Sequence, residues 1–330
     1  MIAAPSQTGN VRPTPFGPGY ASMFAPEKLT VGVYFPIESF SGPAPSMLHQ
    51  VELAQQAERL GFAALWARDV PLNDPNFGDL GQIYDPFVWL ATIAARTNTI
   101  ALATGAVILP LHHPIDTAKA AASLDHLSGG RFVFGVASGD RPVEYPAYGR
   151  EAGQRGELFR DAFDYVEALL TERFPVHASA HYGQLTGGGD LVPKPLASRL
   201  PVLVTGRSQQ ALDWIAQRSD GWITYPRDLR KQALVAAQWR ETLDRVDAGF
   251  KPLAQSLYLD LTEDPDAAPR PIHLGYRLGR RRLADLLDEL RAQGINHVAL
   301  NLKFSQRPVA DVLDEVGRDV LPHFSIGGTQ

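Results

Sequence analysis

Cysteine is absent from all 330 residues. That excludes disulfides, thiolate metal sites, iron–sulfur clusters and cysteine nucleophiles, and it fits a cytoplasmic protein. No apolar stretch approaches the roughly 20 residues that span a bilayer, so no membrane association is expected. The N-terminus has no basic patch followed by an apolar segment, so no secretory signal is expected. No basic run suited to a nucleic-acid backbone is present either: 31 basic residues stand against 36 acidic ones, a formal charge of −5. The group Arg280, Arg281 and Arg282 falls where a helix should start and reads as a solvated face. Three local signatures are also missing. There is no GxGxxG after the first strand, no HExxH and no GxSxG elbow, which argues against an open dinucleotide-binding sheet, a zinc hydrolase and a serine hydrolase.

What is present is alternation. Short apolar, β-branched or aromatic runs occur at 31–35, 62–66, 100–104, 132–136, 201–204, 221–224, 256–261 and 297–302. They do not alternate polar with apolar, which is the pattern of strands buried on both faces in a parallel sheet. Helical patterns separate them at 46–60, 86–96, 115–127, 155–170, 208–218, 229–248, 279–293 and 308–320. In 155–170 the stripe is Leu158, Phe159, Ala162, Phe163, Val166 and Leu170; in 279–293 it is Leu283, Leu286, Leu287 and Leu290, stopped by Gly294. Eight strand–helix units predict a (β/α)₈ TIM barrel, an α/β fold, over residues 30–330 as one domain. Residues 1–29, rich in Pro, Gly and Ser, read as an extended N-terminal arm. Two insertions are expected. One, 172–199, follows helix 4 and reads as a hairpin or excursion. The other, 262–278, follows strand 7 and reads as a lid on the catalytic face.

In a barrel the chemistry comes from the C-terminal ends of the strands. Those positions hold Arg68 and Asp69 after strand 2, and Thr104 at the end of strand 3, which runs on to His112 and His113. They hold Ser138, Gly139, Asp140 and Glu144 after strand 4, Thr205, Gly206, Arg207 and Ser208 after strand 5, and Tyr225 after strand 6. The segment VTGRS can be read as a phosphate cradle at a helix start, with Arg207 and two hydroxyls assisting, or as a plain turn with Ser208 as N-cap. His112 and His113 are adjacent, so their side chains diverge and a metal site is not expected; one of them can face the mouth. His273, in the expected lid, can reach a substrate. His49, His126 and His323 read as surface or structural residues on helices. Asp69, Asp140 and Glu144 keep open a rival reading as paired carboxylates of a glycosidase.

The stretch LPLHHPIDTAKAAASLDHLSGGRFVFGVASGDRPVEYPAYG, 109–149, resembles the signature of the bacterial-luciferase-like flavin-dependent monooxygenases. VTGRSQQALDWIAQRSDGWI resembles the same family's cofactor-phosphate turn, with Ser219 where alanine is usual, and AERLGFAALWARD resembles its GFxxxW segment. A further departure is His112, where relatives often carry arginine. The resemblance implies a barrel that binds FMN or, in one branch, the deazaflavin F420, with the cofactor phosphate on the 205–208 turn. It implies cofactor contacts from Asp69, Thr104, Ser138, Gly139, Asp140 and Tyr225, with Arg68 and His113 as catalytic candidates. It implies monooxygenation of a small organic substrate with reduced flavin and O₂, F420-dependent hydride transfer as the alternative, and a flavin-binding protein without catalysis as a third possibility. A separate flavin reductase and a homodimer or tetramer are family habits.

Overall fold

The computed structural model describes residues 15–42, 44–77 and 83–324. Eight parallel strands close on themselves: β1 (Thr30–Tyr34), β2 (Ala64–Ala67), β3 (Ala101–Thr104), β4 (Phe132–Ala137), β5 (Val202–Thr205), β6 (Gly221–Thr224), β7 (Leu253–Leu261) and β8 (His297–Asn301). Each pairs with the next, and β8 pairs back to β1, so the sheet has no edge in the ring. Between the strands lie α1 (Gln50–Arg59), α2 (Pro86–Ala94), α3 (Pro114–Leu127), α4 (Arg155–Thr171), α5 (Leu212–Arg218), α6 (Leu229–Arg245) and α7 (Arg280–Gln293), with α8 (Val309–Asp319) after β8. The fold is the expected TIM barrel.

The pleat sorts residues between two cores. On β2, Leu65 and Ala67 face the helices and join the outer core, while Ala64 and Trp66 face the lumen. The lumen is lined by small side chains at Ala64, Ala101, Ala103, Ala254 and Ala299, which leaves room for large ones to enter from below. Those come from the N-terminal segment. A short helix, Pro18–Met23, places Tyr20, Met23 and Phe24 into the barrel base. Tyr20 Oη donates to the Asp220 carbonyl at 3.1 Å. The described part of the expected arm, 15–29, is therefore a packed plug rather than an extended tail; 1–14 lies outside the described residues. Beside the plug, a chain of hydrogen bonds crosses the lumen. Trp66 Nε1 donates to His297 Nε2 at 2.9 Å, His297 Nδ1 donates to Thr30 Oγ1 at 2.7 Å, and Thr30 Oγ1 donates to the Met23 carbonyl at 2.7 Å. Burial pushes the His297 pKa down to about 3, so this imidazole is neutral.

The insertions differ from each other. Within 172–199 a small antiparallel hairpin, Val176–Ala178 with Gln184–Thr186, stands apart from the barrel sheet. Within 262–278, Arg270–Ile272 and Gly275–Leu278 form a hairpin that extends the sheet alongside the outer half of β7. The segment expected to be a lid is thus held by a ladder of backbone hydrogen bonds. Among the described residues, no helix is long and apolar enough to cross a membrane.

Candidate active site

A cavity of about 540 Å³ opens at the C-terminal ends of the strands. It falls in the size range of small-molecule and cofactor sites. Four arginines line it, Arg68, Arg141, Arg155 and Arg207, against two aspartates, Asp69 and Asp140. That excess of guanidinium groups favours an anionic ligand.

The 205–208 turn follows β5 directly. Helix α5 begins only at Leu212, with Ala211 rather than Ser208 at its N-cap. Between strand and helix the chain turns through left-handed conformations at Gly206 (φ 58°), Ser208 (φ 44°) and Gln209 (φ 60°). A helix N-terminus therefore does not supply the cradle. Ser208 Oγ accepts from Ser138 N at 3.2 Å and donates to the Thr205 carbonyl at 2.9 Å, tying the tips of β4 and β5 together. Thr205 Oγ1 is buried with no hydrogen-bond partner, on a residue that lines the cavity. A buried hydroxyl without a partner costs free energy, and a bound acceptor would recover it. Arg155 makes one hydrogen bond, to the Ala152 carbonyl at 2.9 Å, and Arg207 one, to Gln238 at 3.4 Å, so both retain donors for a ligand.

Asp69 stands across the cavity. Its Oδ2 accepts from Ile108 N at 2.9 Å and lies 2.6 Å from His112 Nε2. Burial pulls the His112 pKa down, but the hydrogen bond to Asp69 and its charge outweigh this, so the net shift is upward. Glu144 is 1% exposed and its Oε1 has no partner. Burial raises its pKa, Arg141 opposes that, and the charges of Asp69 and Asp140 add to the rise. Tyr145 Oη donates to the Ser138 carbonyl. Tyr34, whose pKa is raised by burial, floors the cavity with its ring 5.8 Å from that of Trp66.

Of the residues singled out from the sequence, Arg68, Asp69, Ser138, Gly139, Asp140, Thr205, Gly206, Arg207, Ser208 and Tyr225 converge on this cavity. Thr104 lies in the wall instead. It is fully buried, and its hydroxyl donates to the Gly135 carbonyl at 2.8 Å and accepts from Gly135 N at 2.9 Å. His113 also lies elsewhere. It is the N-cap of α3, accepts from Ile115 N at 3.3 Å, and its ring meets Tyr165 and Tyr182 edge-on. Its neighbour His112 is the one that reaches Asp69. Pro114 carries the signal: proline favours the first helical position, which makes the preceding residue the cap and turns its side chain back onto the helix. Arg155, Ser256, Tyr258 and Asn301 line the cavity without having been singled out. Arg155 begins α4, far along the chain from its strand, and nothing local marks it. Among the described residues no group of three or more His, Asp or Glu is placed to hold a metal ion.

A TIM barrel with an arginine-rich cavity at its C-terminal mouth is a general class. The sequence narrows it. Residues 29–312 match the model of the luciferase-like monooxygenase family, and the chain belongs to that family of enzymes. An uncharacterized protein of Mycobacterium tuberculosis is 36% identical over 243 residues, 67% of this chain and 82% of that one. The 4-hydroxyprotoasukamycin monooxygenase of Streptomyces nodosus subsp. asukaensis is 29% identical over 224 residues, 66% of this chain and 59% of that one. The structure of an F420-dependent secondary alcohol dehydrogenase with an F420-acetone adduct is similar in fold, with a TM-score of 0.73 at 18% identity over 89% of this chain and 98% of that one.

Proposed function

We propose that this chain is an FMN-dependent monooxygenase that acts on a small organic substrate, with reduced flavin brought by a separate reductase. The observation that carries the reading is the unpartnered Thr205 hydroxyl in a cavity also lined by two arginines with free donors, Arg155 and Arg207. These groups fit a phosphate, and the cavity is large enough for a nucleotide-sized ligand. Reduced flavin supplies oxygen activation that no side chain of this protein can perform.

The chain's own groups divide the remaining work. Thr205, Arg155 and Arg207 would hold the phosphate, and Ser208 keeps the turn in shape. Tyr34, Gly105 and Gly139 line the cavity with a flat ring and two residues without side chains, which would suit a planar ring system. Asp69 is fixed by Ile108 N and His112, so its carboxylate keeps one orientation toward the cavity. Glu144, with its raised pKa, is suited to hold a proton near the site. F420 also carries a phosphate, and the same groups suit it. Hydride transfer on this scaffold is therefore the second reading, supported by the fold of the F420-dependent neighbour.

Titrating the purified protein with FMN and with F420, each in oxidised and reduced form, tests both. FMN binding in the micromolar range, weakened about 5–30-fold by Thr205→Val, is the expected result. F420 binding without FMN binding moves the assignment to hydride transfer. No binding of either at tens of micromolar overturns the reading.

A further inference from the structure

The cavity has two chemically different sides. Its four arginines enter from β2, from β4 and the start of α4, and from β5. From β6 round to β8 the lining brings no arginine, lysine or carboxylate. There Tyr258, on β7, meets the His273 ring edge-on at 5.8 Å, and Phe304, after β8 and just behind the lining, lies 5.3 Å from Tyr258 and 6.3 Å from His273. Leu274 and Phe304 are 37% and 36% exposed. The nearest cations are engaged elsewhere. Arg277 faces Asp260 at 3.5 Å, and Lys303 Nζ is held over the Phe40 ring at 4.8 Å and lies 5.8 Å from the Phe304 ring.

The backbone shows that this side is built rather than incidental. His273 and Leu274 are the two loop residues of a hairpin whose flanking pair is Ile272 and Gly275. Two-residue turns of this kind favour Gly, Asn or Asp where φ is positive. Here a leucine holds φ 50° and lines the cavity. An observed departure from easy backbone geometry at a cavity rim points toward function. The hairpin is also pinned. Tyr258 N donates to the Leu274 carbonyl at 3.1 Å, and Gly275 lies so close to the Tyr258 backbone that a Cβ there would collide with it. These contacts hold the wall in place against β7.

We propose that Tyr258, His273, Leu274 and Phe304 form the substrate subsite, and that it takes a flat, ring-bearing apolar molecule with no carboxylate or phosphate of its own. Ring faces and edges at this spacing suit a planar partner. An anionic group placed here would meet no arginine or lysine of the lining itself. The proposal rests on the reading above in one respect, that the arginine side is occupied by the cofactor.

Calorimetric titration of the FMN-saturated protein (F420-saturated if that cofactor binds) with 2-naphthol, 2-naphthoate and 1-decanol tests it. 2-Naphthol is expected to bind about tenfold or more tighter than the other two, and Phe304→Ala and Leu274→Asn should each weaken it about fivefold, with cofactor affinity kept within about twofold. Naphthoate or decanol binding as tightly as naphthol overturns the substrate class. Unchanged naphthol affinity in both variants, or loss of cofactor binding in them, overturns the location. If the wild-type chain takes up neither cofactor, the reading of function fails, and the same naphthol titration of the cofactor-free protein still decides the subsite.

Discussion

The two ends of this barrel use arginine in opposite ways. At the closed end Arg131 is 6% exposed and directs every donor at the chain. Nε reaches the Ser128 carbonyl at 2.8 Å, while Nη1 and Nη2 reach Thr97 Oγ1 and the carbonyls of Ile100, Ala94 and Thr97 at 2.8–3.1 Å. At the open end Arg155 and Arg207 make one hydrogen bond each. The same contrast holds for other polar groups. His297, in the lumen near the plug, has both ring nitrogens paired, whereas the Thr205 hydroxyl and Glu144 Oε1 at the mouth are buried without partners. Satisfied polar groups stabilise a fold; unsatisfied ones await a ligand or a proton. One end holds the protein together and the other is prepared to bind.

That contrast breaks most visibly at Arg131. Arg131→Met should lower unfolding stability by roughly 3–5 kcal/mol, because four buried carbonyls and the Thr97 hydroxyl lose their partner at once. A urea titration that shows under about 1 kcal/mol would mean that water reaches those carbonyls and that the closed end is not sealed. Arg207→Ala is the matching change at the mouth. Stability should stay within about 0.5 kcal/mol, while cofactor affinity falls about 10–100-fold through loss of a charge-assisted hydrogen bond. A large stability loss with unchanged cofactor binding would reverse the comparison.

The closed end was the harder one to read from sequence. Residues 1–29 read as an extended arm by composition, yet Phe16, Tyr20, Met23 and Phe24 repeat at helical spacing, and that stripe is what plugs the lumen. Its partner surface is made of alanines on several strands, which no local pattern announces. The eight strands were legible because burial on both faces leaves continuous apolar runs, and their observed bounds differ from the expected ones by a few residues at most. At the mouth, the strand-end rule found the ring of polar residues but not their orientation. Thr104 ends β3 as expected and still turns into the wall, where Gly135 on the next strand leaves space for its hydroxyl. The expected lid was read from its length alone; its pairing with β7 depends on a glycine meeting Tyr258, a contact remote in sequence.

Between the two ends in expected size lies the Asp69–His112 pair. The raised His112 pKa means that folding favours the imidazolium. Its stabilisation is therefore complete below about pH 6.5, the ordinary histidine value, and is lost as pH rises through the higher folded value. His112→Gln keeps a donor for Asp69 but removes the charge. The variant should be less stable than the parent by roughly 1 kcal/mol at pH 6, and the gap should narrow toward pH 9. Denaturation curves with a gap that widens with pH would show that Asp69 is not holding a protonated partner.

The smallest effect tests the mouth from the opposite direction, by making it more stable. Leu274 holds a left-handed conformation that costs an ordinary side chain about 1–2 kcal/mol and costs asparagine less. The leucine recovers only part of that cost through burial, since it is 37% exposed. Leu274→Asn should therefore raise unfolding stability by about 0.5–1 kcal/mol while removing an apolar surface from the cavity. A gain in stability together with weaker binding of a ring-bearing ligand is the signature of a residue kept for recognition. A loss of stability would mean that Leu274 supports the hairpin against Tyr258, and the apolar rim would then belong to the scaffold, as the plug does at the other end.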